Sequence, residues 1–426
     1  MNLRRVTLEP DGAQALAQAL SPPPPDADIT ERVAQIVADV RAHGDDALVE
    51  LTRRLDCPSF THDQIRVPRS VIARAAAELD PALRDAILVA AIQVRALAEA
   101  TRPSDTATGL PLGQQITVRR LPVAAAGLYV PGGRAAYPSS LIMAAVPAQV
   151  AGVGRIAVVT PPKADGAAHA VILATAGLLG VDEVYAVGGP GAIAALAFGT
   201  QTIAPVSVIA GPGSAWVQEA KRQVFGTVGI DGIAGPSELV VVADGEADPV
   251  EVAADLLGQA EHGLDSPAIL VSPDRAFVDA VATALGDGDA AGAVTLIDCD
   301  SLDSALLFAE AFAPEHLQLQ VEDAERLADA VRQAGAVFVG ANGATAFGDY
   351  VAGSNHILPT GGAARFASSV SAATFMRRMA VVQLSDAAVM ALTPHLTALA
   401  DAEGFPNHRR SAQVRAARIA RGGAAQ

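Results

Sequence analysis

The chain has 426 residues, 51% of them hydrophobic and 18% charged, and 30 Lys and Arg against 46 Asp and Glu give a formal net charge of −16. That length predicts two to three domains with ample core, and the composition excludes a disordered chain. The negative balance repels phosphate backbones and argues against nucleic acid as a partner. The longest apolar stretches, near 141–153 and 170–181, are broken by Pro or Gly and fall short of a bilayer span, which argues against a membrane. No apolar segment follows the arginines of MNLRRVTLEPDG, and Cys57 and Cys299 are too few for a disulfide framework or a Cys-rich zinc site. The expectation is a soluble, cytoplasmic protein.

In chain order, residues 1–28 read as an N-terminal segment. From 29 to 100 apolar residues recur at helical spacing, with Asp28 or Thr30 available as an N-cap. After Arg119 short β-branched runs alternate with Ala-rich helical stretches. RIAVVT (155–160), EVYAV (183–187) and VSVIA (206–210) predict strands, and a helix follows Gly191. The pattern then repeats. ELVVVA (238–243), 268–271, 294–297 and AVFVG (336–340) predict strands, interleaved with helices over 248–261, 276–285 and 302–312. Beyond Thr360 the strand signals stop, and the chain ends in HRRSAQVRAARIARGG, read as a solvated helix face. The expected fold is α/β: two Rossmann-like doubly wound domains, related by an internal duplication, with N-terminal helices and a helical C-terminal tail. The boundaries place 29–118 with 236–375 in one domain, 119–235 in the other, and 376–426 in the tail.

Three glycine-rich loops fall at or near strand ends: YVPGG (129–133), GGPG (188–191) and GPG (211–213). Ligands bind at such places in open α/β sheets, and helix N-termini attract phosphate. None is a G-x-G-x-x-G fingerprint, and each alone also reads as a tight turn. Of the eight histidines, four sit in dense polar segments: QAEH ending at His262, APEH ending at His316, GDYVAGSNH ending at His356 and EGFPNH ending at His408. Gln259 and His262, three apart at a helix end, project from one face, and Gly263 can cap that helix. Together these segments offer imidazole, carboxylate and amide oxygen, a set that suits a zinc-like ion; hydrogen-bonded structural histidines are the alternative.

At these residues the sequence resembles the histidinol dehydrogenase family. The resemblance runs from Val33 to Val414 and is carried by GLYVPGG (127–133), AIAALAFGT (192–200), EAKRQV (219–224), AGPSELVVVAD (234–244), QAEHG (259–263), FAPEHLQ (312–318), GDYVAGSNHILPT (348–360) and AEG (402–404). It implies a homodimer that oxidises L-histidinol through the aldehyde to L-histidine with one Zn2+ per subunit and NAD. It further implies Gln259, His262, Asp349 and His408 as zinc ligands and Glu315 and His316 as the catalytic pair. Substrate contacts fall on Ser237, Gln259, His262, His316, Asp349, His356, Glu403 and His408, and a cofactor contact on Tyr129. Metal and catalytic residues would then lie in the domain formed by 29–118 and 236–375, and the cofactor side in 119–235. The tail would be exchanged in the dimer, so that Glu403 and His408 complete the partner's site. Gly191 and Ser214 depart from the family's glutamine and asparagine on the cofactor side. Neither cysteine lies in these motifs, so activated water, not a thiol, is the expected nucleophile. Two other readings stay open: a paralogue acting on another primary alcohol such as a sulfopropanediol, and a metal-dependent hydrolase or binding protein that has lost NAD.

Overall fold

The computed structural model describes residues 3–21, 27–132, 135–263, 265–286 and 294–423. Gly133, the last residue of GLYVPGG, lies outside the described residues. The chain divides into two compact units, Met1–Arg102 with Val123–Phe375 and Pro103–Pro122 with Met376–Gln426.

The first unit holds two parallel sheets. One runs, in spatial order, Val184–Tyr185, Arg155–Val159, Ala125–Tyr129, Val208–Ala210, Gly229–Ile230. The other runs Arg4–Thr7, Val294–Asp298, Ala268–Ser272, Leu239–Ala243, His316–Gln320, Ala336–Val339. Numbered along the chain, and with Arg4–Thr7 set aside as an added edge, both follow the order 3-2-1-4-5 of a doubly wound Rossmann-like sheet. The shared order supports the duplication inferred from the repeated strand–helix grammar.

The inner strands are buried on both faces, as parallel strands covered by crossover helices must be. Every residue of Leu239–Ala243 and Ala268–Ser272 is buried. Alternate side chains feed opposite layers. Val240, Val242, Ile269, Leu317 and Leu319 pack with Phe308 and Phe312, while Leu239, Val241, Leu270 and Leu296 pack with Val278 and Val281. The helix Pro249–Ala260 starts on Asp248, whose carboxylate accepts from Val250 N at 2.7 Å, with proline at its first position.

Several elements differ from the sequence reading. EVYAV contributes only Val184–Tyr185 as strand, and the second helix begins at Ala27, which puts Asp28 and Thr30 inside its first turn. Arg4–Thr7, Ala125–Tyr129 and His316–Gln320 are strands that apolar runs did not announce. The last, HLQLQ, has only Leu317 and Leu319 as apolar residues; fully buried Gln318 instead donates from Nε2 to Thr345 Oγ1 at 2.9 Å.

The second unit has an antiparallel sheet with Gln114–Pro122 at its centre, between Thr106–Gly109 and Met376–Leu384. Two helices follow, Asp386–Ala402 and Pro406–Gly423, packed on each other. Met376–Leu384 corrects the expectation that strands end before Thr360. No residue of it is fully buried, so it lacks the apolar alternation that marks a half-buried strand, and a backbone ladder from Met376 opposite Pro122 to Leu384 opposite Gln114 holds it.

The glycine at 191 has a packing cause. It lies in the wholly buried part of the helix Gly189–Phe198, and a Cβ there would sit 2.6 Å from Leu51 Cδ2 and 3.2 Å from Leu48 Cδ2. The position is turned onto the helix Asp45–Leu55, where the helices approach too closely for a side chain. Gly191→Gln, the family-like substitution, should therefore overpack this contact and cost about 1–3 kcal/mol, read as a lowered denaturation midpoint in a urea titration. An unchanged or raised midpoint would contradict the contact.

Candidate active site

The polar segments meet at one end of the adjacent parallel strands Leu239–Ala243 and His316–Gln320. Register pairs His316 with Leu239, so the residues entering these strands, Ser237, Glu238, Glu315 and His316, are neighbours although about 80 positions separate them. Glu238 N donates to Glu315 Oε2 at 3.1 Å, and Glu315 N donates to Glu238 Oε2 at 3.3 Å. Gly361 N donates to the other Glu238 oxygen at 3.0 Å.

His316 is locked by the same residues. Its backbone N donates to Glu238 O at 3.1 Å, and its ring Nδ1 lies 3.1 Å from that carbonyl. With the proton on Nδ1 the ring donates there, which leaves Nε2 as the bare acceptor. That buried Nε2 has no hydrogen-bond partner among the described residues and faces Asp349 Oδ1 at 3.4 Å. Glu315 Oε2 lies 3.4 Å from Nδ1. Burial disfavours the imidazolium, but Glu315, then Asp349, overcome it and push His316 up to about 9. Burial raises Glu315, against the pull of His316. Burial alone would also raise Asp349, yet His316, His356 and His262 hold it below the usual carboxylate range.

Asp349 sits on the short helix Thr345–Tyr350, which the polar segment GDYVAGSNH did not announce. His356 Nδ1 lies 2.8 Å from Asp349 O, and its Nε2 lies 3.2 Å from Ser140 Oγ. Asn355 beside it donates to Met143 O at 2.7 Å, which ties this segment to the helix Pro138–Ala151. Gln259 lies in the last turn of the helix Pro249–Ala260 and is buried; Ser237 Oγ donates to its Oε1 at 3.4 Å. The other end of the amide, Nε2, is buried without a partner among the described residues. Turned over, the amide would present its oxygen at that place, as a metal ligand must. His262 follows in a turn closed by Gly263, whose φ of 127° suits glycine, and is close enough for the charges of Asp349 and His316 to bear on it. No three His, Cys, Asp or Glu side chains converge as a metal-binding group among the described residues. Any cation here needs the Gln259 amide and a further ligand.

The first unit thus brings together Ser237, Gln259, His262, Glu315, His316, Asp349 and His356. Glu403 and His408 belong to the second unit, exposed where its two helices join, with the His408 ring 5.2 Å from that of Phe405. Tyr129 ends a strand of the five-stranded sheet. Its hydroxyl accepts from Gly189 N at 3.3 Å, and burial pushes it up to about 12. Around it lie groups suited to a phosphate-bearing ligand. The helices capped by Gly188 and Ser214 have no side-chain cap among the described residues. Thr160 Oγ1, at the end of Arg155–Val159, is buried without a partner there. Gly211 has φ 131°, and a Cβ on it would lie 2.1 Å from Tyr129 O.

The family model for histidinol dehydrogenase matches residues 24–416. The chain belongs to the histidinol dehydrogenase family. It is 46% identical to the histidinol dehydrogenase of Caulobacter vibrioides over 91% of this chain and 93% of that one. It is also 46% identical to that of Rhodospirillum rubrum, over 97% and 99%. A crystal structure of histidinol dehydrogenase from Elizabethkingia anophelis shares the fold at TM-score 0.90 and 32% identity, covering 97% of this chain and 98% of that one. Among the described residues no helix is long and apolar enough to cross a membrane.

One residue of the cluster escaped the sequence reading. Glu238 is 1% exposed and adjoins Ser237 in AGPSELVVVAD. The signal was present: a carboxyl directly before a wholly apolar strand must be buried with partners.

Proposed function

We propose that this enzyme oxidises L-histidinol to L-histidinal and then to L-histidine, the closing steps of histidine biosynthesis, in the cytoplasm. The observation that carries the reading is the convergence, in a member of this family, of Gln259, His262 and Asp349 on the Glu315–His316 pair. The donor set is nitrogen and oxygen, and the Gln259 amide, turned over, would put its oxygen at the buried end that has no partner among the described residues, so the residues fit a zinc-like ion. Gln259, His262 and Asp349, with His408 of the partner subunit, would hold it, and when bound it supplies Lewis-acid charge to orient the substrate nitrogens. Two NAD, each accepting one hydride in turn, would bind at Tyr129, Thr160 and the helix starts at Gly188 and Ser214, which have no side-chain cap among the described residues.

His316 removes the alcohol proton through its bare Nε2 as hydride leaves the carbinol carbon. The base works only when deprotonated, so alcohol oxidation speeds up as rising pH takes the proton from His316. Glu315 then takes a proton from the water that attacks the aldehyde carbon, and the hydrate gives a second hydride to another NAD as one of its hydroxyls loses its proton, leaving the acid. Ser237, His356 and Glu403 hold the substrate's polar ends. A thiol nucleophile finds no support: burial pushes Cys299 up to about 11, and Cys57 is buried.

Assay of NADH formation from L-histidinol in the presence of zinc tests the reading. Two NADH per substrate support it; no reduction with this or any other alcohol would favour a hydrolase or binding protein, and reduction with another alcohol alone would favour a paralogue. Within the active enzyme, His316→Asn should slow alcohol oxidation by roughly 10²–10⁴-fold, while Glu315→Gln slows mainly the oxidation of supplied histidinal. Unchanged histidinal oxidation in Glu315→Gln removes the water-activating role.

The proposal also includes a homodimer in which 376–426 is exchanged, so that Glu403 and His408 serve the neighbouring site. Two exposed helices in a small unit, carrying exposed Leu396, Leu399, Phe405 and Val414, support it. Mixing inactive His262→Ala with inactive His408→Ala, with subunit exchange verified, should restore part of the activity, because one site of the mixed dimer keeps all its ligands. Activity that stays at zero assigns the tail to its own subunit.

A further inference from the structure

We propose that Glu238 is a positioning residue for the aldehyde-to-acid half of the reaction, acting through Glu315 and not through His316. The inference rests on the roles given above to those two residues. Its basis is the way the contacts of Glu238 divide between side chain and backbone.

His316 is held by the Glu238 main chain: backbone N and ring Nδ1 both lie 3.1 Å from Glu238 O. A carbonyl oxygen survives any substitution of the side chain. Glu315 is held differently. Its carboxylate accepts from Glu238 N at 3.1 Å, but its own backbone N donates to the Glu238 carboxylate at 3.3 Å, and the second oxygen of that carboxylate holds Gly361 N at 3.0 Å. The Glu238 side chain thus fixes the point from which the Glu315 side chain springs, and it pins the 361 turn beside it. Thr360 Oγ1 in turn accepts from Gly235 N, which closes a loop of contacts around the approach to Ser237.

A carboxylate that is 1% exposed is a costly device: burial and Glu315 push its pKa up, and the backbone N–H groups of Gly361 and Glu315 that its two oxygens accept from favour the charged form. Its two oxygens satisfy two backbone donors at once, which no other side chain of similar volume does. Glutamine offers one oxygen and turns an NH2 toward the other N–H. Alanine abandons both donors in a buried place.

The experiment compares the two half-reactions in Glu238→Gln, Glu238→Ala and the parent enzyme. NADH formation is followed from L-histidinol and from supplied histidinal, under single-turnover conditions, in soluble folded protein. General damage to the fold lowers the amount of active enzyme and leaves the ratio of the two rates unchanged. The positioning role changes the ratio. Histidinal oxidation should fall about threefold further than alcohol oxidation in Glu238→Gln and more than about tenfold further in Glu238→Ala, within the range general-base positioning commands. Histidinal should accumulate when the substrate is histidinol. Should Glu238→Ala not fold, Glu238→Gln alone carries the comparison. A parental ratio in Glu238→Gln, or a larger loss in the alcohol step, overturns the proposal. No NADH from histidinol in the parent enzyme would instead overturn the function proposed for the whole site.

Discussion

The site depends on one piece of backbone pairing. The strand that starts at His316 lies parallel to the strand that starts at Leu239, in a register that sets those two residues side by side. Parallel strands enter a sheet from the same edge, so whatever precedes one is brought against whatever precedes the other. Here Ser237 and Glu238 meet Glu315. The pairing gives each glutamate the other's backbone N–H as a donor, and it gives the His316 ring a carbonyl to hold its proton. Two buried carboxyls and an imidazole would otherwise be a heavy desolvation cost.

Placement at this edge sets the cluster apart from the usual ligand crevice, which lies beyond the carboxyl ends of parallel strands. In the six-stranded sheet the chemistry sits at the entrance of the strands. In the five-stranded sheet the glycine loops, Thr160 and Tyr129 sit at the exits. A duplicated architecture can thus divide labour by using opposite strand ends, acid–base groups on one copy and phosphate-suited helix starts on the other. The bond from Asn355 to Met143 O and the contact of His356 with Ser140 stitch the two copies beside the catalytic pair.

Much of the fold was legible because its physics is local. ELVVVA and the strand at 268–272 read as strands because strands buried on both faces are continuous apolar runs, and the repeated grammar exposed the second sheet. HLQLQ was not legible: its Gln318 is satisfied by Thr345, a partner that only the folded chain supplies. Met376–Leu384 was missed for the opposite reason, since backbone pairing and not burial holds it. In the site, the imidazoles and carboxylates stood out as residue types, and the family resemblance gave them roles. That Asp349 lies on a helix, that Gly191 is forced by Leu51, and that Glu238 is locked to Glu315 are facts of distant pairing.

The central claim is that the catalytic pair is preorganised by the strand pairing before any ligand arrives. Amide hydrogen exchange of the ligand-free enzyme, resolved at Glu238, Glu315 and His316, tests it most directly. The account predicts that these amides exchange as slowly as those of the buried strand Leu239–Ala243, through large-scale opening only. Exchange as fast as in exposed turns, with protection appearing only when substrate is added, would contradict it.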